Sequence, residues 1–418
     1  MSTGMTIRGW AHSETGNVRQ QNQDSWLVDP EHGVFAVADG VGGNEGGDVA
    51  SKVLVQMVRS EAETIGELAR AGGSGEDGRH RERVLNTLHS QIEKANGEVF
   101  RIGRGRMSTT ADVLAVSGNA AYIAHVGDSR VYLIRDGQTT RLTDDHTFAE
   151  KLKAQRRAHG SDSEEGLDRF RHMLTRSVGN QPRVDVDTIF VDVQPGDQFI
   201  LCSDGVSDAL GEQRMREILA AHDGPDRPRA LTEAAAEEGS TDNVTAVVVE
   251  ASAGFADVDR SDDRLDTLRK LEFLEEIELF SGLQPQELLR VLPIIYRREF
   301  GPGDTIVQEG EAPDSLYMIV EGRVDLISEG SDIGSLGPGE HFGELALFGG
   351  ALRSADVIPT EEVLVLEMTG GDFREMTEVQ DPELGNTLLR NLLTRAADRL
   401  RETTSKLVDL QKERDDSD

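Results

Sequence analysis

Up to about Ala251 the chain carries six nearly unbroken apolar runs, each stopped by an acidic residue or a turn: VFAVADGVGG, ADVLAV, AAYIAHVGD, RVYLIRDG, QFILCSDG and NVTAVVVE. Runs of this length, rich in β-branched residues and closed by glycine and aspartate, predict β-strands. Between them, apolar positions recur at helical spacing at about Gly47 to Ala69 and Arg81 to Gly103, and the segment AGGSGEDGRH separates the two. Helices segregated from antiparallel strands predict an α+β fold, an antiparallel β-sandwich flanked by helices.

The pattern then changes. A charged segment, FADVDRSDDRLDTLRK, leads into LEFLEEIELFSGL, whose apolar positions return at helical spacing, so a domain boundary is expected near Asp257 to Arg264. After Phe300, short strands punctuated by glycines at 301, 303, 310, 322, 337 and 339 predict a small β-barrel, jelly-roll-like. Near the C-terminus, Leu389, Leu393, Ala396, Leu400, Thr403, Leu407 and Leu410 alternate spacings of four and three before the acidic tail RDDSD. That seam predicts a long C-terminal helix pairing with a second copy in a homodimer. The expected division is residues 1–251, a charged linker at 252–271, a second domain at 272–378, and the helix and tail at 379–418.

A length of 418 residues also exceeds what a single core usually fills. With 77 acidic against 44 basic residues and a net charge of -33, the chain opposes a phosphate backbone, which excludes general nucleic-acid binding, and suits divalent cations. No run reaches the roughly 20 apolar residues of a membrane helix, and MSTGMTIRGWAHSETG lacks the plan of a secretory leader. The expectation is a cytoplasmic protein without a membrane partner. The single cysteine, Cys202, sits in an apolar strand and reads as packing.

The candidate chemistry lies at the strand ends. Asp39, Asp128, Asp204 and Asp242 each follow or open a strong β segment, so a sandwich can bring the four carboxylates together. Mg²⁺ and Mn²⁺ take oxygen ligands in octahedral array, and the glycines after two of them, Gly40 and Gly205, permit close backbone approach.

In order along the chain, GNVRQQNQDS, VADGVGG, MSTTADVLAV, HVGDSRVYLIRDG, LTDDHT, LTRSVGN, FILCSDGVSD and STDNVTAVVV resemble the 2C-type metal-dependent protein phosphatases over approximately residues 5 to 250. The resemblance implies two Mn²⁺ or Mg²⁺ ions bridged by Asp39, with the Gly40 carbonyl on one and Asp204 and Asp242 on the other. Asp128 with Asp204 resembles the optional third-metal pair, Asp24 the carboxylate behind the ligands, and Arg19 the phosphate-binding arginine. It implies hydrolysis of phosphoserine and phosphothreonine in proteins, a Ser/Thr kinase and its targets among them, by a metal-activated water without a covalent enzyme intermediate. A guanidinium fork suits two phosphate oxygens as an ammonium does not.

Two positions depart from some relatives. Val41 stands where a histidine proposed as general acid can occur, and Gln23 where a glutamate can. His125 and His146 read as structural histidines outside the catalytic set. Thr147 to Met173 occupies the place of the family's flap and is expected to shape access.

In the second domain, HFGELALFGGALRSADV places a glycine, a carboxylate, a helical turn and then Arg-Ser in one stretch. With LFSGLQPQELLRVL and GDTIVQEGEAPDSLYMIVEGRVDL before it, this resembles the cyclic-nucleotide-binding domains of catabolite activator proteins and protein kinase A regulatory subunits. The resemblance implies that Glu344 accepts the ribose hydroxyl, that Arg353 pairs with the cyclic phosphate, and that Gly343, Leu345, Ala346 and Ser354 add hydrogen bonds. Serine at 354 favours cyclic AMP over cyclic GMP as the regulator, and Thr394 is the candidate for the base contact. The alternative to a regulated enzyme is a catalytically silent cyclic-nucleotide sensor that uses the phosphatase fold to bind partners. A transcription regulator would need a recognition helix and a basic surface, which the ending RDDSD does not supply.

Overall fold

The computed structural model describes residues 5–41, 46–71, 78–158, 163, 165–253, 267–312, 314–347, 352–377 and 384–394. The chain divides into two compact units, Met1–Arg264 and Leu265–Asp418.

The first unit contains strands β1 (Thr6–Glu14), β2 (Ser25–Asp29), β3 (Val34–Ala38), β4 (Ala111–Ser117), β5 (Ala120–Val126), β6 (Arg130–Arg135), β7 (Gln138–Arg141), β8 (Asp187–Asp192), β9 (Gln198–Cys202) and β10 (Val244–Ser252). Its helices are α1 (Gly47–Ser60), α2 (Ala62–Ala71), α3 (Gly78–Gly103), α4 (Phe148–Ala158), α5 (Asp204–Ser207), α6 (Glu212–Ala221) and α7 (Asp226–Glu237). The strands form two antiparallel five-stranded sheets, ordered β1-β10-β9-β6-β7 and β2-β3-β4-β5-β8.

Both faces of the central strands are buried, and alternation assigns each face its layer. In β3, Val34, Ala36 and Ala38 join α1, α2 and α3 in one cluster. Phe35 and Val37 point the other way and are equally closed to solvent. In the other sheet, Tyr132, Ile134, Ile200, Cys202, Ala246 and Val248 pack with α6 and α7, whereas Val131, Leu133, Leu201 and Val247 lie on the opposite face, also at 0% exposure. The four layers are helices, sheet, sheet, helices, the sandwich expected. Cys202 is buried in this packing, which pushes its thiol pKa up and leaves it inert.

Three details differ from the pattern-based expectation. The four edge strands β1, β2, β7 and β8 are interrupted by polar residues, throughout in the case of QTTR, and gave no apolar run. The first predicted helix is two, because Glu61 leaves helical geometry between α1 and α2. The helix after it begins at Gly78.

The second unit contains α8 (Thr267–Glu276), α9 (Pro285–Val291), β11 (Tyr296–Phe300), β12 (Ser315–Glu321), β13 (Val324–Ser328), β14 (Ser331–Leu336), β15 (His341–Phe342), β16 (Asp356–Pro359), β17 (Val363–Thr369), α10 (Gly370–Glu375) and α11 (384–394). Its strands form a four-stranded sheet, β11-β17-β12-β15, and a three-stranded sheet, β14-β13-β16. Tyr317, Ile319 and Val365 of one meet Val324 and Val357 of the other in a common core. This is a double-sheet arrangement in the jelly-roll manner, with no closed barrel among the described residues.

α11 turns Leu384, Leu388 and Leu392 into its own unit, and Asn391 Nδ2 donates to the carbonyls of Leu279 and Ser281, both at 2.9 Å. Leu393 of the predicted seam is 66% exposed. The seam beyond residue 394 and most of the charged linker lie outside the described residues.

Gly9 of β1 faces Phe35 across the sandwich, and a Cβ there would overlap the ring. Gly9→Ala is therefore expected to cost about 1–3 kcal/mol of stability through overpacking, measured by denaturant unfolding; an unchanged midpoint would refute the inter-sheet contact.

Candidate functional site

Antiparallel register gathers the candidate residues at one end of the sandwich. Ser25 opens β2 opposite Ala38, which closes β3; Ala111 opens β4 opposite Val126, which closes β5. In the other sheet Arg130 pairs with Cys202, Cys202 with Ala246 and Glu14 with Val244. Asp24, Asp39, Asp128, Asp204 and Asp242 stand one or two residues beyond these ends.

Their proximity shows in the charge each imposes on the others. Burial, then the charges of Asp24, Asp204, Asp128 and Asp242, hold the Asp39 carboxyl well above the usual carboxylate range. Burial likewise pushes Asp24 up to about 6, against hydrogen bonds from Thr245 and Ser203 that favour its anion. Asp128 is raised to about 8, by burial first and by Asp204 next. Oδ1 of Asp24 and Oδ1 of Asp204 are shielded from solvent and have no hydrogen-bond partner. An all-oxygen donor set with excess negative charge and two orphaned carboxylate oxygens fits a pair of hard divalent cations.

Short polar side chains aim these carboxylates. Thr110 Oγ1 accepts from the Asp39 N–H at 2.8 Å and shares a 2.7 Å bond with Ser129, while Thr109 Oγ1 donates to the Asp39 carbonyl at 2.7 Å. Thr245 Oγ1 donates to Asp24 Oδ2 at 2.6 Å. Asn243 fastens the β1–β2 connection: its Nδ2 donates to the carbonyls of Thr15 and Gln21, at 2.9 and 3.0 Å, and its Oδ1 accepts from the Gln23 N–H at 2.9 Å. Arg19, on that connection, donates through Nη2 to Asp242 Oδ2 at 2.6 Å. These positioning residues stand inside the motifs already quoted, but a hydroxyl or amide beside a strand carries no chemical signal of its own.

The two glycines have a packing reason beside the proposed one. A Cβ on Gly40 would meet backbone of Gly47 and Gln23, and one on Gly205 would meet the Asn243 carbonyl. His125 and His146 are buried, with rings 4.6 Å apart. His125 Nδ1 lies 2.6 Å from Asp112 Oδ1. His146 accepts the Gly127 N–H on Nδ1 at 3.1 Å, and its own N–H donates to the Gly127 carbonyl at 2.7 Å, so it fixes the turn that presents Asp128. Burial holds its pKa at about 4, which keeps it neutral for that acceptor role.

The segment between β7 and β8 contributes α4, a 3₁₀ turn at Asp168–Phe170 and His172. A cavity of about 150 Å³ is lined by Asp128, Arg130, Asp145, His172, Asp204 and Asp208. Asp145 is already satisfied, receiving Arg130 at 2.9 and 2.7 Å and Arg141 at 2.6 Å.

In the second unit, Gly343 has φ +85°, and a Cβ there would strike the Arg353 guanidinium. The Arg353 side chain, 8% exposed, donates to the Ser315 carbonyl at 2.8 Å and to Asp314 Oδ1 at 3.3 Å. Glu344 opens a 3₁₀ turn that ends at Leu347. Leu345 lies in the same turn, and its side chain is outside the described set. The Ala346 N–H donates to the Gly343 carbonyl at 3.0 Å. Ser354 is exposed, and its carbonyl accepts from Ser328 at 2.9 Å. Thr394 ends the described part of α11, where its hydroxyl donates to the Arg390 carbonyl at 3.0 Å.

Comparison with known proteins gives two matches to family models. Residues 8–233, more than half of the chain, match protein phosphatase 2C, and residues 297–380 match the cyclic nucleotide-binding domain. The serine/threonine protein phosphatase PstP of Mycobacterium tuberculosis is 29% identical over 255 residues, 59% of this chain and 45% of the relative, so the match spans less than half of that protein. The serine/threonine phosphatase stp of Listeria monocytogenes is 29% identical over 254 residues, 57% of this chain and 93% of the relative. The crystal structure of serine/threonine phosphatase Stp1 from Staphylococcus aureus aligns with TM-score 0.51 at 25% identity, covering 60% of this chain and 97% of that one.

Raised carboxyl pKa values set the sign of the pH dependence. Asp24 at about 6 and Asp128 at about 8 favour the protonated form in the folded chain. Their stability contribution is complete below about pH 4 and is lost as pH rises through those values. In EDTA the melting temperature should fall from pH 4 to 8, Asp128→Asn should flatten the upper part of that slope, and Mn²⁺ should remove it. An identical slope in Asp128→Asn would refute the assignment.

Proposed function

Because the chain belongs to the protein phosphatase 2C family, we propose that its first unit hydrolyses phosphoserine and phosphothreonine in protein substrates. The observation that carries this reading is the set of four carboxylates repelling Asp39, with two orphaned oxygens, at one end of the sandwich. In this reading Asp39, the Gly40 carbonyl, Asp204 and Asp242 would hold two Mn²⁺ or Mg²⁺ ions, Asp128 with Asp204 would hold a third, and Asp24 would support them from behind. Such ions, when bound, supply a water acidic enough to ionise near neutrality and neutralise phosphoryl oxygens.

The remaining work falls to side chains of this chain. Arg19 is positioned beside Asp242 and, 41% exposed, can turn its fork to two oxygens of an incoming phosphate. Asn243 holds the connection that carries it, so phosphate and ligands keep one geometry. Val41 offers no proton to the leaving hydroxyl, and His125 and His146 are buried in structural bonds. The proton therefore comes from water or from another group at the site. The substrates in this reading are phosphoproteins, a Ser/Thr kinase and its targets among them.

The chain also carries a cyclic nucleotide-binding domain. We assign Arg353 to the cyclic phosphate and Glu344 to the ribose, with Gly343, Leu345, Ala346 and Ser354 around them and cyclic AMP as the regulator. Support comes from the Gly343–Arg353 packing, which presents a guanidinium whose partners are one carbonyl and the largely exposed Asp314. Regulation requires that the nucleotide bind the more and less active arrangements with different affinity, because equal affinity shifts no population. Pairing of copies from Leu389 onward and a cytoplasmic location complete the proposal; no described helix is long and apolar enough to cross a membrane.

Mn²⁺-dependent phosphate release from a phosphothreonine peptide tests it. Asp39→Ala should reduce turnover to background, and retained metal-dependent turnover would sink the site assignment. Cyclic AMP should change the wild-type rate. Arg353→Ala should bring the ratio of rates with and without nucleotide to one; a preserved response would place the nucleotide elsewhere.

A further inference from the structure

Behind the turn that carries Asp128 lies a polar network that the preceding reading does not use. Asp112 of β4 and His125 of β5 are cross-strand partners, both at 0% exposure. His125 Nδ1 stands 2.6 Å from Asp112 Oδ1, and its Nε2 stands 2.7 Å from the Asp144 carbonyl. A carbonyl only accepts, so Nε2 carries a hydrogen and donates it. Nδ1 faces a carboxyl whose other oxygen is shielded and without a hydrogen-bond partner. In water a carboxyl is a stronger acid than an imidazolium by roughly 400-fold, which places the shared proton on Nδ1 and makes both ring nitrogens donors. Burial works against a charged ring, but the charge of Asp112 and its hydrogen bond outweigh burial, so the His125 pKa is raised.

His146 stands in the opposite state. Its Nδ1 accepts the Gly127 N–H at 3.1 Å, and its Nε2 lies 3.1 Å from Asp187 Oδ2, so its one ring hydrogen sits on Nε2. The two rings are 4.6 Å apart. A second charge at that distance would be repelled, so a protonated His125 keeps His146 an acceptor. Other charged groups facing these rings are Asp187 on β8, Arg176 beside it, and Asp145 and Arg141 near the end of β7.

The two histidines tie separate stretches of chain together. His125 holds the Asp144 carbonyl, the His146 N–H donates to the Gly127 carbonyl at 2.7 Å, and the His146 carbonyl accepts the Thr175 N–H at 2.7 Å. Both roots of the segment between β7 and β8 are thereby fastened to the Gly127 turn. Gly127, at φ +118°, packs so closely on Thr110 that a Cβ would strike its side chain, and Thr110 Oγ1 accepts the Asp39 N–H. The turn therefore sets Asp128 directly and Asp39 through one neighbour.

We propose that Asp112 is a positioning residue for the hydrolysis: by holding His125 as an imidazolium it fixes the Gly127–Asp128 turn and the root of the β7–β8 segment in one arrangement, which aligns the carboxylate cluster. The role is indirect, exerted through His125 and the turn.

The proposal rests on the phosphatase reading, and the test keeps the two apart. The full chain is labelled with ¹⁵N-histidine and its imidazole nitrogens are observed by nuclear magnetic resonance at about pH 10, where ordinary histidines are neutral. One ring with both nitrogens protonated is expected in the wild type, and its signal should vanish in Asp112→Asn. In Mn²⁺-dependent turnover of a phosphothreonine peptide, Asp112→Leu should lower kcat about tenfold or more and change KM by less than about twofold, because Arg19 is untouched. Asp112→Asn, which keeps the shape, should lower kcat in the same direction. Asp112→Leu combined with His125→Leu replaces the buried polar pair by apolar side chains and should regain melting temperature while kcat stays low. A wild-type spectrum without a doubly protonated ring would overturn the proposal, as would unchanged kcat in Asp112→Asn or turnover that returns with stability in the double variant. Absence of turnover in the wild type would sink the phosphatase reading and the positioning role together.

Discussion

Repulsion among Asp24, Asp39, Asp128, Asp204 and Asp242 is the constraint around which the first unit is arranged. Like charges in a poorly solvated site oppose folding unless something compensates, and here the compensation is distributed. The Thr245 hydroxyl donates to Asp24, the backbone N–H of Asn243 donates to Asp242, and Arg19 neutralises Asp242 from the rim. One oxygen each on Asp24 and Asp204 remains shielded and without a partner. Both sheets must end at the same place for this to work, which is why antiparallel register, rather than any single loop, determines the geometry.

Legibility in the sequence followed burial on two faces. The six apolar runs correspond to β3, β4, β5, β6, β9 and β10, the six interior strands of the two sheets, whose side chains meet helices on one side and the facing sheet on the other. Strands β1, β2, β7 and β8 are the four edges, and TIRGWAHSE or QTTR reads as little more than polar chain. The aspartates at strand ends were visible because a charge abruptly stops an apolar run. Thr245 and Asn243 were not, because their role exists only once Asp24 and the β1–β2 connection arrive from more than 200 residues away. The same holds for His125, which no spacing rule connects to the Asp144 carbonyl.

The second unit shows a similar division. The spacing from Glu344 to Arg353 is a sequence signal, but the seat of the arginine against Gly343 and the Ser315 carbonyl is a consequence of φ +85° at residue 343 and of β12 passing beneath. A heptad reading marked Leu389 and Leu393, and the described part of α11 instead commits Leu384, Leu388 and Leu392 to its own unit. One helix can therefore serve its own core with one stripe and leave the adjacent stripe free.

The pairing of β1 with β10 runs from Thr6 opposite Ser252 to Glu14 opposite Val244, so the first strand of the unit is closed by its last. On a ribosome the N-terminal strand must wait, unpaired along that edge, until residue 252 has emerged. Asp242 and Asn243 immediately precede β10, so the sheet and the carboxylate cluster reach completion in the same stretch of synthesis. A chain interrupted before this point lacks both the strand that closes the sheet and the last carboxylate of the cluster.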